Sequence, residues 1–406
     1  MLRTTGLGRL VVACVLAALM LAACARGGPS ATRPTPTSGP RTEPTASDPA
    51  ADLRVDLDLL LGQHLLLLAR TSDAVLASRT PEFDGYGEMV HESAEAIAGA
   101  VAQHANQPGA SQTVAQDQQA WDEAYLDYVT AAFDQSASER APASAGLQAA
   151  ATQYATSLAS LTGVPSAQLT PLLTAQVQDV TAMVDAQVQA GTWTAAYEAV
   201  QSAYAQTQSI GDALAAGLAH RGHVQGSGDT RAVDLRASVD LQLQEQVALR
   251  GFAASASLGG RSAELDAAEA AEQSSIATLE SSLSSAPPGT ATAVGQALGG
   301  LGSSFMSDVA AVAAQNQTAQ ELAEARLIST FPASFGRAAS YLHLSSSRSL
   351  SLSSGLGQAM IGLAQTEGAK NYQSAPFAQR TAFQAAAALG DGLTAAVIHA
   401  SPASFE

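Results

Sequence analysis

Cysteine is nearly missing from this chain: its 406 residues include two, Cys14 and Cys24. That excludes a disulfide framework, a thiol nucleophile and a thiolate metal site from everything after residue 24. Lysine is rarer, with Lys370 alone, and 19 Lys and Arg face 36 Asp and Glu, a formal net charge of −17. Such a chain repels nucleic acid and anionic lipid headgroups, so no nucleic-acid partner is expected. The same acidity also serves plain solubility outside the cytoplasm. Aromatic residues make up only 5%, and β-branched runs of period two are scarce, which leaves little from which to build a sheet. Catalytic signatures are lacking too. There is no Gly-x-Ser-x-Gly elbow, no phosphate-cradling Gly-rich loop ahead of a helix, and no serine set beside a histidine in a recognisable way. The expectation is a protein that is not an enzyme and carries no cofactor.

What is present starts with an address. Arg3 and Arg9 precede an apolar stretch from Leu10 to Leu21, and Leu21-Ala22-Ala23-Cys24 closes it as a lipobox. The stretch is too short to span a bilayer, which takes about 20 residues. An ordinary signal peptide cut elsewhere would leave Cys24 incidental, but its place directly after Leu-Ala-Ala favours lipidation. Residues 1–23 then read as a lipoprotein signal peptide. Cys24 carries the lipid that holds the chain on the extracytoplasmic face of the cytoplasmic membrane, because two or more acyl chains anchor stably where one does not. Losing Arg3 and Arg9 takes the charge from −17 to −19. Residues 24–50 hold Pro29, Pro34, Pro36, Pro40, Pro44 and Pro49 among Thr, Ser and Gly, a composition that reads as a disordered, extended spacer.

Beyond it the Ala-rich sequence reads as all-α, since alanine has the highest helix propensity. Two tandem antiparallel helical bundles are expected, about six helices each, over residues 51–225 and 231–402, with a Gly/Ser-containing break between them. The halves match at an offset near 180 residues. Leu59, Leu61, Leu67 and Leu76 answer to Leu241, Leu243, Leu249 and Leu258, and Arg79 and Glu82 to Arg261 and Glu264. Trp121, Tyr125 and Val129 answer to Leu301, Phe305 and Val309; Tyr204, Gly211, Asp212, Leu214 and His220 to Phe383, Gly390, Asp391, Leu393 and His399. In the first half, helices are expected at 52–78, 82–104, 111–134, 138–161, 166–190 and 192–220. The first is apolar nearly all round from Leu57 to Leu68 and should lie centrally. The second half is expected to be looser, with a Ser-rich stretch from Ser345 to Ser354 between its fourth and fifth helices.

The first half resembles a helical unit found in tandem in secreted bacterial proteins, mostly from actinobacteria and Firmicutes, whose function is uncertain. The resemblance rests on Gln63-His64, on Trp121-Asp122-Glu123-Ala124-Tyr125-Leu126-Asp127-Tyr128 and on Val184-Asp185-Ala186-Gln187. Ala195-Ala196-Tyr197-Glu198-Ala199 and Gly211-Asp212-Ala213-Leu214 complete it. Some members are described as copper-related, and inward histidines and methionines in the family imply a metal site. This chain keeps His64, but Ala124, Gln176, Gln206 and Gln208 stand where the family has such ligands, and Gln246 occupies the place of His64 in the second half. Carboxamides are poor ligands for transition metals.

The residues themselves offer few sites. His64 lies on a buried stripe; it is either a neutral core histidine bonded to a neighbouring helix or one metal ligand without the two or three companions a site needs. Glu88 and His91 form a single Glu-x-x-His, where a di-iron bundle needs two plus two further glutamates, so an exposed polar face is the simpler account. Asp266, Glu269 and Glu272 are expected on one solvated helix face, and His220 and His399 at equivalent helix ends, where a cation suits the dipole. The leading expectation is a tethered interaction or ligand-binding module with an unidentified protein partner or small ligand; the alternative is extracytoplasmic metal (copper) handling, with His64 the one candidate ligand.

Overall fold

Asp48 begins the folded part by capping a helix. Its carboxylate accepts the backbone N–H groups of Ala50 (3.0 Å) and Ala51 (2.9 Å), and Pro49 occupies the first turn, where a missing N–H costs nothing. Helix α1 (Pro49–Leu76) therefore starts a few residues before the apolar periodicity does. The other Asp48 oxygen accepts the N–H of Ser227, in the break between the halves. Gly226, at φ +102°, lets that loop pass the carboxylate; a Cβ there would collide with it. The computed structural model describes residues 45–189 and 191–405. The signal segment, Cys24 and most of the spacer lie outside them.

The described residues are helical with no strand, so the fold is all-α. After α1 come α2 (Thr80–His104), α3 (Ser111–Phe133), α4 (Ala137–Thr162), α5 (Ser166–Val188) and α6 (Trp193–Gly222). Breaks fall where left-handed backbone is needed, at Asn106 (φ 56°), Gly163 (φ 79°) and Gly191 (φ 82°). Among the described residues the second half has seven, two of them where the first half has one: α7 (Arg231–Leu258), α8 (Ser262–Ser282), α9 (Thr290–Ala313), α10 (Gln317–Ala325), α11 (Phe331–Tyr341), α12 (Ser346–Gly368) and α13 (Ala375–Ala400). A π-turn, Arg326–Thr330, joins α10 to α11. Pro332 has no N–H to return to Ile328, so the helix widens by one residue there.

The Ser-rich stretch corrects an expectation, because it is not a loose connection but the start of α12. Ser345 caps it by accepting Arg348 N–H at 3.3 Å, and Ser353, fully buried, donates to the carbonyl of Ser349 at 2.7 Å. Hydroxyls that bond back one turn carry no unmet polarity into a core.

α1 is the central element of the first half and α7 of the second. Leu57 and Leu65–Leu68 are almost wholly buried, and α1 packs on α2, α3, α6 and α7. Both α1 and α13 are long and apolar enough to cross a membrane, yet 72% and 61% of their most apolar windows are buried within the bundle. The halves meet along α1 and α7 through small residues, with Ala51 and Val55 against Val233 and Ala237. Ion pairs there are reciprocal. Arg54 pairs with Asp212 of its own half and, at 2.6 Å, with Asp234 of the other. Arg236 pairs with Asp391 of its own half and, at 2.5 Å, with Asp52 of the other. Each contact is the other displaced by about 180 residues, the pattern of a two-fold, self-complementary interface.

Gly211 and Gly390 extend the correspondence. Each lets α6 or α13 press against a buried carboxyl, Asp58 or Asp240, and a Cβ at either would run into that carboxyl. Gly211→Ala is therefore expected to destabilise the fold by about 1–3 kcal/mol through overpacking. Gly87→Ala, where a Cβ meets nothing, is the control, both read as urea denaturation midpoints.

Candidate functional site

His64 is 4% exposed, midway along α1, and its imidazole faces α3. Its Nε2 lies 2.9 Å from Asp122 Oδ1, and the Gln118 amide donates to the same oxygen at 3.1 Å. Gln118 and Asp122 are one turn apart on α3, so both reach the same ring. The Gln118 amide nitrogen also lies 3.0 Å from Nε2. In the tautomer that donates Nε2–H to Asp122, Nδ1 of the neutral ring is an acceptor. Nδ1 has no hydrogen-bond partner.

Around this pair is a cavity of about 40 Å³, lined by His64, Gln118, Trp121, Tyr154, Gln176 and Thr207 among leucines and Ile210. At 10–15 Å³ per water it has room for about three. Besides His64 Nδ1, three lining residues hold a buried polar atom with no partner: Trp121 Nε1, Tyr154 Oη and Gln176 Oε1. All four residues are at least 95% buried. Burial, then the charge of Asp122, raises the Tyr154 phenol above its ordinary range, so it stays protonated. Thr207 is satisfied locally by the carbonyl of Tyr204 at 2.6 Å. A buried polar group without a partner costs about 1–3 kcal/mol, so four around one cavity describe a place built for an occupant.

The second half fills the corresponding place. Gln246 stands for His64, Arg250 for Leu68, and Leu301 and Gly302 for Trp121 and Asp122. Arg250, 1% exposed, bonds to Glu272 (2.9 Å), to the Leu298 carbonyl (3.0 Å) and more distantly to Gln246. A Cβ at Gly302 would come within 2.5 Å of Glu272 Oε1, so glycine makes room for that carboxylate. A buried ion pair closes one half where the other keeps a cavity.

Other residues singled out from sequence fall into place. Asp266 and Glu269 are exposed, but Glu272 is buried on Arg250, which corrects the expectation of a single solvated acidic face. Three-residue steps each turn about 60° back around a helix, so by Glu272 the direction has swung inward. Glu88 and His91 are exposed, with His91 near Glu95 (3.5 Å) and the Gln119 amide (2.9 Å). His220 and His399 lie in the last turns of α6 and α13. Gln206 turns to the carbonyl of Leu172, away from any ligand role. Among the described residues no group of three or more His, Cys, Asp or Glu side chains converges as a metal set. Two wider grooves of about 440 and 540 Å³ flank the C-terminal half of α6, and their arginines, Arg54 and Arg221, are already engaged by Asp212 and the Ser160 carbonyl.

The Asp122–His64–Gln118 cluster and the part of Tyr154 were not foreseen. The usable signal was Gln118 and Asp122, four residues apart on the same helix as the inward Trp121 and Tyr125. Comparison with protein-family models, with curated proteins and with solved structures finds no match for this chain.

Proposed function

We propose that this protein is a lipid-anchored extracytoplasmic binding module. Cys24 attaches it to the membrane, the Pro-rich spacer lifts it from the surface, and a duplicated helical unit forms the body. The first unit binds a compact ligand in the His64 cavity, and the second has lost that role to the Arg250–Glu272 pair and serves as a rigid partner. The observation carrying this reading is the set of unpartnered atoms on His64, Trp121, Tyr154 and Gln176 around one small cavity. No catalytic step is assigned: the Tyr154 phenol stays protonated, and the Thr207 hydroxyl donates to the carbonyl of Tyr204 rather than to His64.

Metal handling is the second reading. A histidine whose far nitrogen bonds to a carboxylate is the usual orientation of a metal ligand, and His64 has it toward Asp122. Against it, the remaining cavity atoms are a carboxamide, a phenol and an indole N–H, which make a poor set for a transition metal.

Native mass spectrometry and elemental analysis of protein extracted from its own membranes test both readings. The expected result is a small organic mass retained by the wild type and lost in Gln176→Leu, with the Cys24→Ser form moving to the soluble fraction. Stoichiometric metal lost in His64→Ala would install the second reading. Bare protein that leaves Gln176→Leu indistinguishable from wild type would end the first.

A further inference from the structure

The donors and acceptors of the His64 cavity specify the kind of group it holds, on the premise that the cavity is a binding site. Two of its unpartnered atoms accept: Gln176 Oε1, and His64 Nδ1 in the neutral tautomer that donates Nε2–H to Asp122. Two donate: the indole N–H of Trp121 and the phenol O–H of Tyr154. An occupant satisfying all four needs an oxygen that accepts twice and a nitrogen that donates twice. We propose that the first-half cavity binds an uncharged primary amide or ureido group.

Charge and size narrow the class in the same direction. Among the described residues no Lys or Arg lines the cavity, and the buried carboxylate of Asp122 stands directly behind His64 and Gln118, so an anion would enter near a like charge with nothing to neutralise it. A cation bearing only N–H donors would leave the Trp121 N–H without an acceptor. Buried polar groups stranded in that way are the strongest source of discrimination a site possesses. The volume of about 40 Å³ admits the amide end of a molecule, three or four heavy atoms, and little else. Trp121 lines the site and is one of only two tryptophans, so it reports directly on occupancy.

The test uses the protein with Trp193→Phe, which leaves Trp121 as the single emitter, titrated with three probes of the same shape: formamide, formate and formamidinium. The expected result is a saturable change in Trp121 emission with formamide, at a dissociation constant of about millimolar, the ceiling for three heavy atoms. Binding of formate and of formamidinium should be at least about tenfold weaker, as should binding of formamide to Gln176→Leu, which removes an acceptor, and to Tyr154→Phe, which removes only an oxygen. The two variants are independent, so a folding defect in one leaves the other decisive. Saturable binding of formamidinium or formate in preference to formamide would overturn the amide assignment and leave the cavity a binding site. An unsaturable response to all three probes, identical in both variants, would overturn the assignment and the binding-site reading together.

Discussion

Arg70→Met is expected to lower stability by about 3–5 kcal/mol, the usual result of removing one partner from a buried ion network. Arg70 is fully buried on α1, and its Nη2 lies 2.9 Å from both Glu82 on α2 and Glu367 on α12. The guanidinium stacks over Tyr86 (4.8 Å) and Phe252 (5.3 Å), and the Tyr86 hydroxyl donates to Glu367 at 3.0 Å. Methionine fills much of the volume but leaves Glu367 in the core without a paired cation and Glu82 with Arg79 alone. Burial already raises Glu367 above the ordinary glutamate range even with Arg70 present, so its loss drives that carboxyl further toward the protonated form. Adding Glu367→Gln to Arg70→Met should therefore recover part of the loss. The consequence extends to cooperativity, because α1 and α2 belong to the first half and α12 to the second. Without the network the urea transition should broaden, with a smaller m-value, as the halves begin to unfold separately. A single steep transition with an unchanged midpoint would show that the network holds nothing together.

That network marks the limit of what could be read from the sequence. Helix positions were legible, since 111–134 was expected and α3 runs Ser111–Phe133, with breaks at Asn106, Gly163 and Gly191 marked by turn chemistry. The correspondence of halves was legible as well: Arg79 reaches Glu82 and Arg261 reaches Glu264 in the same i, i+3 geometry, and both glutamates are fully buried. Partners distant in sequence were not legible. Arg70 and Glu367 lie 297 residues apart, and nothing local distinguishes either from a surface charge. The same holds for the site. His64 is visible on an apolar stripe, but nothing local marks Asp122 as its partner, which only the packing of α3 against α1 provides. Periodicity reports which face of a helix is inward, and it cannot say which inward residues from different helices will meet.

Stability should fall as pH rises from about 5 to 8, despite the buried ion pairs, because other buried carboxyls keep their protons in the fold. Asp58 and Asp240 are buried at matching positions, and neither oxygen of either has a hydrogen-bond partner. Burial, then the charges of Asp212 and Asp391 respectively, pushes both carboxyls well above the aspartate range, and Arg54 and Arg236 only partly oppose this. Asp308, on α9, is pushed up to about 7 by burial and by Glu324. In the unfolded chain such groups ionise near pH 3.9, whereas in the fold they keep the proton to higher pH. Below about pH 4 the two states are protonated alike and the carboxyls cost nothing. Above it the native state holds more protons than the unfolded state, so each retained proton lowers stability by about 1.4 kcal/mol per pH unit until its folded pKa is passed. For Asp308 that decline ends near pH 7; for the other two it continues higher. Net charge works the same way, since an excess of 17 negative charges repels itself less as carboxylates take up protons. Replacing both Asp58 and Asp240 with asparagine keeps their shape, removes the titration and should raise the urea midpoint at pH 8 while barely changing it near pH 4. A wild-type midpoint that climbs between pH 5 and 8, or a double variant that keeps the wild-type slope, would mean that the two carboxyls ionise without penalty inside the helix pairs that enclose them.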